Sequence, residues 1–219
     1  MAIDRIIIAD DHPLFRDALK QILMRDMPGA ELVEAGDLEE VTAAMEKAGE
    51  TDLILLDLKM PGVQGFSGLI YLRAQYPGVP VAVISASEEP AIIRRAISLG
   101  ASGFIPKSAS AEEMQRAVRA VLEGELAVPA DVSMDVDDDD AARDTARLLS
   151  TLTPQQMRVL MMLREGLLNK QIAWKLGVSE ATIKAHVSAI LQKLKVESRT
   201  QAVIAASRVD GELITPDRL

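Results

Sequence analysis

The chain contains no cysteine among its 219 residues, which excludes a disulfide framework, a thiolate metal centre and a thiol nucleophile. Any metal must therefore be held by oxygen or by one of only 2 histidines. Long apolar runs are also lacking. The first, Ile3–Ala9, ends in Asp10–Asp11, and no stretch approaches the ~20 apolar residues of a membrane span. A soluble, cytoplasmic protein is expected. No internal repeat is present. Positive charge is scarce overall, with a formal net charge of -9, a balance that argues against a nucleic-acid partner until its distribution is considered. Residues 1–125 carry 12 Lys and Arg against 20 Asp and Glu, and residues 126–150 carry 2 against 7. Residues 151–206 reverse the sign, with 8 against 3. One compact basic block, masked by an acidic remainder, is the footprint a phosphate backbone requires.

What is present reads as two modest domains, and a hydrophobic content of 48% is ample for two cores. Apolar, β-rich runs recur at Ile3–Ala9, Ala30–Glu34, Leu53–Leu56, Val79–Ile84 and Gly103–Pro106. The gaps between and after them show helical periodicity, over Pro13–Arg25, Leu38–Ala48, Gln64–Tyr76, Glu89–Leu99 and Ala111–Glu123. That alternation predicts a (βα)5 unit with a parallel sheet over residues 1–125. Residues 126–150, with Asp131, Asp135 and the run Asp137–Asp140, read as a solvated acidic linker ending in a short helix near Ala141–Leu149. From 151 to 219 every periodic segment is helical: Pro154–Glu165, Asn169–Leu176, Glu180–Lys195 and Thr200–Arg208.

In an open doubly wound sheet, chemistry belongs at the carboxyl ends of the strands. Asp10 and Asp11 stand at the end of the first predicted strand, Asp57 at the third, Ser85 at the fourth and Lys107 at the fifth. Three carboxylates brought together repel unless a cation joins them, and hard oxygen donors favour Mg2+. Such an ion neutralises an incoming phosphoryl group, Lys107 adds a second positive charge, and Ser85 offers a hydroxyl donor. Asp57 is then free to act as nucleophile and carry an acyl phosphate. His12 reads as a surface residue that starts the first helix.

This constellation resembles the receiver domains of two-component systems over roughly residues 3–124. The carrying residues are Asp10–Asp11, the segment from Asp57 to Gly62 with Gly65, Ser85–Ala86, and Gly100–Phe104 leading to Lys107. The resemblance implies that Asp57 is the phosphoacceptor. The metal would be held by Asp11 directly, by Asp10 largely through water, and by Asp57 and the backbone carbonyl of Lys59. It also makes Ser85 and Phe104 the switch residues, Phe104 doubling as a core aromatic. Ser108 follows Lys107 where that family commonly has proline.

In the basic block, Asn169–Leu176 reads as a support helix with Ile172, Ala173 and Leu176 inward, and Gly177–Ser179 as the turn. Ser179 is placed to cap the next helix, in which Ile183, Val187, Ile190, Leu191 and Leu194 form a buried stripe. Lys184, Ala185, Ser188 and Gln192 lie on another face, where small residues permit close approach to a groove. Trp174 reads as a packing residue, with a place near the DNA backbone as the alternative, and His186 as a structural or phosphate-contacting residue. Residues 151–207 resemble the LuxR-type helix-turn-helix, through Leu152–Pro154, Val159–Leu160, Gly166, Asn169–Ala173, Leu176, Val178–Ser179, Thr182–Lys184, His186–Val187, Ile190, Lys193–Leu194 and Arg199–Thr200. Gln156 stands where that family usually has glutamate.

Taken together, the chain resembles two-component response regulators of the NarL/FixJ subfamily. This implies a flavodoxin-like (βα)5 receiver followed by an all-α DNA-binding domain. The implied partners are double-stranded DNA, a sensor histidine kinase or phosphotransfer protein, and a second copy of the chain when phosphorylated. By the same resemblance Lys184, Ala185 and Ser188 contact base edges, Lys170, Thr182 and Lys193 contact phosphates, and Ala202, Val203 and Ala206 supply a dimer contact. The alternative reading is a DNA-binding regulator controlled by protein contacts without phosphorylation, against which the intact acidic pocket weighs. An aspartyl-phosphate phosphatase needs a second carboxylate two residues after its nucleophile, where this chain has Lys59, so no enzyme is expected.

Overall fold

The computed structural model describes residues 5–47, 50–61, 63–133 and 140–210, and the chain divides into two compact units, Met1–Asp138 and Asp139–Leu219. In the first unit, β1 (Arg5–Ala9), β2 (Glu31–Ala35), β3 (Leu53–Asp57), β6 (Val81–Ser85) and β7 (Gly103–Pro106) form one five-stranded sheet. Their order is β2-β1-β3-β6-β7 with every neighbour parallel. Strands β1, β3 and β6 are buried along their whole length. This is why the sequence shows them as continuous Ile, Leu and Val runs and not as alternations.

The helices α1 (Pro13–Asp26), α2 (Leu38–Glu46), α3 (Ser67–Gln75) and α4 (Pro90–Ser98) fill the crossovers, and α5 (Ala111–Leu122) follows the last strand. Pro13 and Pro90 open α1 and α4, where a missing amide hydrogen costs nothing. The Asp37 side chain caps α2, and Ser110 with Glu113 makes a reciprocal capping box on α5. Helix α3 starts later than its periodicity suggests. The intervening residues form a two-stranded hairpin, β4 (Lys59–Met60) with β5 (Val63–Gln64), and Gly65 takes a positive φ of 61° before the helix begins.

The expected linker over 126–150 is divided between the units. Ala127 bridges to Gly103 at the free edge of β7, and both Ala127 and Val132 are buried in the first unit. Helix α6 (Asp140–Ser150) belongs to the second unit, where it packs on α10 and α9 and buries Leu149. Residues 134–139 lie outside the described residues.

The second unit is all helical: α6, α7 (Pro154–Arg164), α8 (Asn169–Leu176), α9 (Glu180–Leu194) and α10 (Arg199–Asp210). Thr153 and Gln156 form a capping box at the start of α7. Gly177, with a φ of 64°, ends α8 in the left-handed conformation that lets the chain turn at once into α9. Ile172, Ile183, Ile190 and Leu194 are buried, as are Val159 and Leu160, where α7 and α8 pack on α9.

Candidate phosphoacceptor pocket and nucleic-acid interface

The sheet order places β1 and β3 side by side at the centre, so Asp10, one residue past β1, and Asp57, the last residue of β3, end beside each other. Both carboxylates are almost wholly buried. Lys107 follows β7 and reaches across with its Nζ 2.6 Å from Asp10 Oδ2 and 2.8 Å from Asp57 Oδ2. Its backbone N–H donates to the Ser85 carbonyl at 2.8 Å, which fixes the lysine to the end of β6. Burial pushes the Asp57 carboxyl above its usual range, and the Asp10 charge adds to this, although Lys107 and the Lys59 N–H pull the other way. Lys107 is itself disfavoured as a cation by burial, but its bonds to Asp10 and Asp57 prevail and hold its pKa above the usual lysine value. Its ammonium also stands 4.8 Å from the centre of the Phe15 ring.

Asp10, Asp11, His12 and Asp57 each offer one ligand atom, all within 4.8 Å of one another. Such a spread suits a single divalent ion coordinated at about 2.0–2.6 Å, and the hard carboxylate oxygens fit Mg2+. The exposed Asp11 faces outward beside the buried pair, where an ion can keep water ligands. His12, the N-cap residue of α1, is more involved than expected. Its Nδ1 lies 2.7 Å from Asp11 Oδ1 and 3.1 Å from Asp10 Oδ1, and its N–H donates to Asp10 Oδ1 at 2.8 Å. Arg16, one turn on, donates to the Asp10 carbonyl. No sequence signal distinguishes Phe15 or Arg16, because each acts only after α1 docks. Ser85 and Phe104 are buried on adjacent strands, the Ser85 hydroxyl oxygen accepting the Ser87 N–H at 3.2 Å.

In the second unit Ser179 caps α9 as expected, accepting the Thr182 N–H at 3.1 Å. Lys184, Ala185 and Ser188 are all exposed on α9, with Thr182 on its first turn, and Lys170 is exposed on α8. Lys184 pairs with Glu180 one turn earlier at 3.1 Å, a surface pair of small energy that a phosphate can replace.

Residues 6–119 match the response regulator receiver domain, and residues 150–206 match the luxR family of bacterial regulatory proteins. The chain is 41% identical to the glycerol metabolism activator of Pseudomonas putida, over 94% of this chain and 96% of that protein. It therefore belongs to the NarL/FixJ-type response regulators. Against the nitrate/nitrite response regulator NarP of Escherichia coli the identity is 35%, covering 91% of this chain and 93% of that one. The structure of RcsB from Salmonella enterica serovar Typhimurium, bound to promoter DNA in the presence of the phosphomimetic BeF3-, is also similar. Its TM-score is 0.55 at 25% identity, over 94% of this chain and 99% of that chain. The protein is a transcriptional response regulator.

Four expected side chains of this regulator stand elsewhere than the sequence suggests. Lys193 does not project as a free phosphate contact: its ammonium donates to the Thr151 carbonyl at 2.7 Å and to Gln156 Oε1 at 2.8 Å. Gln156 is buried and also accepts the Thr153 N–H at 3.0 Å, so its amide oxygen ties the start of α7 to α9. Ala202 and Ala206 cannot supply a dimer contact, because they face the unit's own core with 0% and 3% exposure. Val203 is half-buried, and among the described side chains of α10 the exposed large apolar one is Ile204. Trp174, expected in the packing, is 84% exposed on α8. In a helix of eight residues, Ile172 and Ala173 already fill the narrow inward face, and position 174 turns away from it.

Proposed function

We propose that this regulator is switched by Mg2+-dependent phosphorylation of Asp57, with a histidine kinase or phosphotransfer protein as donor. The observation that carries this reading is the Asp57 carboxylate itself, buried at the end of the central strand and held 2.8 Å from the Lys107 ammonium. An Asp57 oxygen attacks the phosphorus of a phosphohistidine, the O–P bond forms as the P–N bond breaks, and the imidazole leaves with its electron pair and takes up a proton. Asp11, Asp57 and the Lys59 carbonyl, with Asp10 largely through water, would hold Mg2+, which would supply charge neutralisation to the phosphoryl oxygens. Lys107 adds a fixed positive charge on the other side, and the Ser85 hydroxyl is free to donate to a phosphoryl oxygen. Phe104 then moves with Ser85 as the second half of the switch.

The output is DNA binding by the second unit. Lys184, Ala185 and Ser188 are assigned to base edges in the major groove, and Lys170 and Thr182 to phosphates. A single α9 reads only a few base pairs and the basic block has few phosphate contacts, so the active form is a homodimer on a two-fold-related site. The relative that is 41% identical is named an activator, which favours activation as the direction of control. The test is phosphoryl labelling with a small-molecule phosphodonor: the wild type is labelled only with Mg2+, and Asp57→Asn is not labelled. Labelling of Asp57→Asn at the wild-type level overturns the assignment.

A further inference from the structure

The segment that follows α5 does not leave the first unit; it turns back along the edge of the sheet. The Phe104 N–H donates to the Ala127 carbonyl at 2.7 Å, and the Ala127 N–H returns to the Ser102 carbonyl at 3.3 Å. Between these bonds lies Gly103, where a Cβ would stand 3.0 Å from both Ala127 Cβ and Ala127 O, and 2.9 Å from Val121. Only glycine allows the two backbones to approach so closely. Ala127 joins the same apolar cluster as Ile105, Met114, Val118 and Val121. Further on, Val132 is buried and the Ser133 carbonyl lies within 3.5 Å of Arg94 on α4. The segment thus runs from the end of α5, across β7, to α4. A groove of about 680 Å³ separates it from α5, with Phe104, Arg116, Ala120 and Val128 in its walls.

From this we infer that residues 126–133 are a strap that reads the state of β7 and passes it along the chain toward the DNA-binding unit. The reading rests on the phosphorylation switch proposed above and names its route. Phe104 is the switch residue, and its own amide holds the strap, so a shift of the β7 main chain must either carry Ala127 along or break the 2.7 Å bond. The groove beside α5 leaves the strap room to move, which a close-packed surface would not. Gly103 and Ala127 are positioning residues in this device. They touch no reacting atom. The strap also covers the otherwise unpaired edge of β7, which gives it a resting position to be released from.

The test uses the full-length wild type and Gly103→Ala, each with and without Mg2+ and beryllofluoride. Hydrogen exchange is read over residues 102–106 and 126–133, together with affinity for an operator fragment selected by the wild type. In the wild type, beryllofluoride is expected to change exchange at Phe104 and Ala127 by about 2- to 10-fold, the equivalent of one net hydrogen bond. In Gly103→Ala these amides exchange fast in both states, phosphoryl labelling of Asp57 persists, and the difference in operator affinity between the two states is lost. If beryllofluoride raises operator affinity while strap exchange stays constant in the wild type, the inference is overturned and the switch reading survives. If beryllofluoride leaves operator affinity unchanged, the switch reading fails and takes this inference with it. Should Gly103→Ala not fold, the wild-type exchange comparison alone decides between these outcomes.

Discussion

Lys193 gives the sharpest contrast between a residue that binds DNA and one that holds the DNA-binding unit together. Replacing it by methionine keeps most of the apolar stem and removes both ammonium hydrogen bonds, to Thr151 at 2.7 Å and Gln156 at 2.8 Å. Hydrogen bonds to a charged group contribute about 1.5–3 kcal/mol each when well buried. Here the Thr151 end is exposed and Lys193 only half-buried, so water replaces part of what is lost. Gln156 keeps the Thr153 N–H as a partner, which removes the cost of a fully orphaned amide oxygen. The net loss is therefore about 1.5 kcal/mol, or roughly 6–12 °C in the melting of a unit this small. Differential scanning calorimetry of full-length Lys193→Met reads it directly. The companion measurement is operator affinity against salt, where a lost phosphate contact lowers the slope by about 0.9. We expect an unchanged slope. A protein that melts as the wild type does but loses about one unit of slope would refute the internal role and restore Lys193 to the interface.

Lys184→Ala should do the reverse, weakening operator binding by about 1–3 kcal/mol if it reads a base or lowering the salt slope by about one unit if it meets phosphate. Its thermal transition should stay within about 0.5 kcal/mol of the wild type, because its pair with Glu180 is a surface pair. Lys107→Ala should bind Mg2+ more tightly by about 3- to 10-fold in calorimetric titration, since a cation leaves the two carboxylates it now occupies. Weaker Mg2+ binding by that variant would show that Lys107 organises the ligands instead of competing with the ion. The mass of the regulator on operator DNA should double when Mg2+ and beryllofluoride are added, and Ile204→Asp, which charges an exposed apolar position of α10, measures whether that helix pairs. A monomer on a high-affinity site in both conditions would remove the dimer.

The receiver pocket was legible in the sequence because a parallel sheet collects its strand ends on one edge, and strand ends can be found from apolar runs alone. Asp10, Asp57, Ser85 and Lys107 each stand at or within a residue of such an end, so no knowledge of packing was needed to gather them. Helices α8 and α9 were legible for a related reason: in α9 the 3.6-residue period places Ile183, Ile190 and Leu194 inward, Val187 and Leu191 at the half-buried margin, and Lys184, Ala185 and Ser188 outward.

What the tertiary structure alone decided are the contacts between segments far apart in the chain. An exposed lysine and an internally bonded one have the same local pattern, and only the docking of α9 on α7 turned Lys193 inward toward Gln156. Small residues at 202 and 206 suit a helix packed on its own unit as well as one packed on a second copy, and the nearness of α6, α7 and α9 settled it. An acidic stretch reads as solvated linker by composition. Its first residues were nevertheless claimed by the open edge of β7, because Gly103 has no side chain to keep Ala127 away.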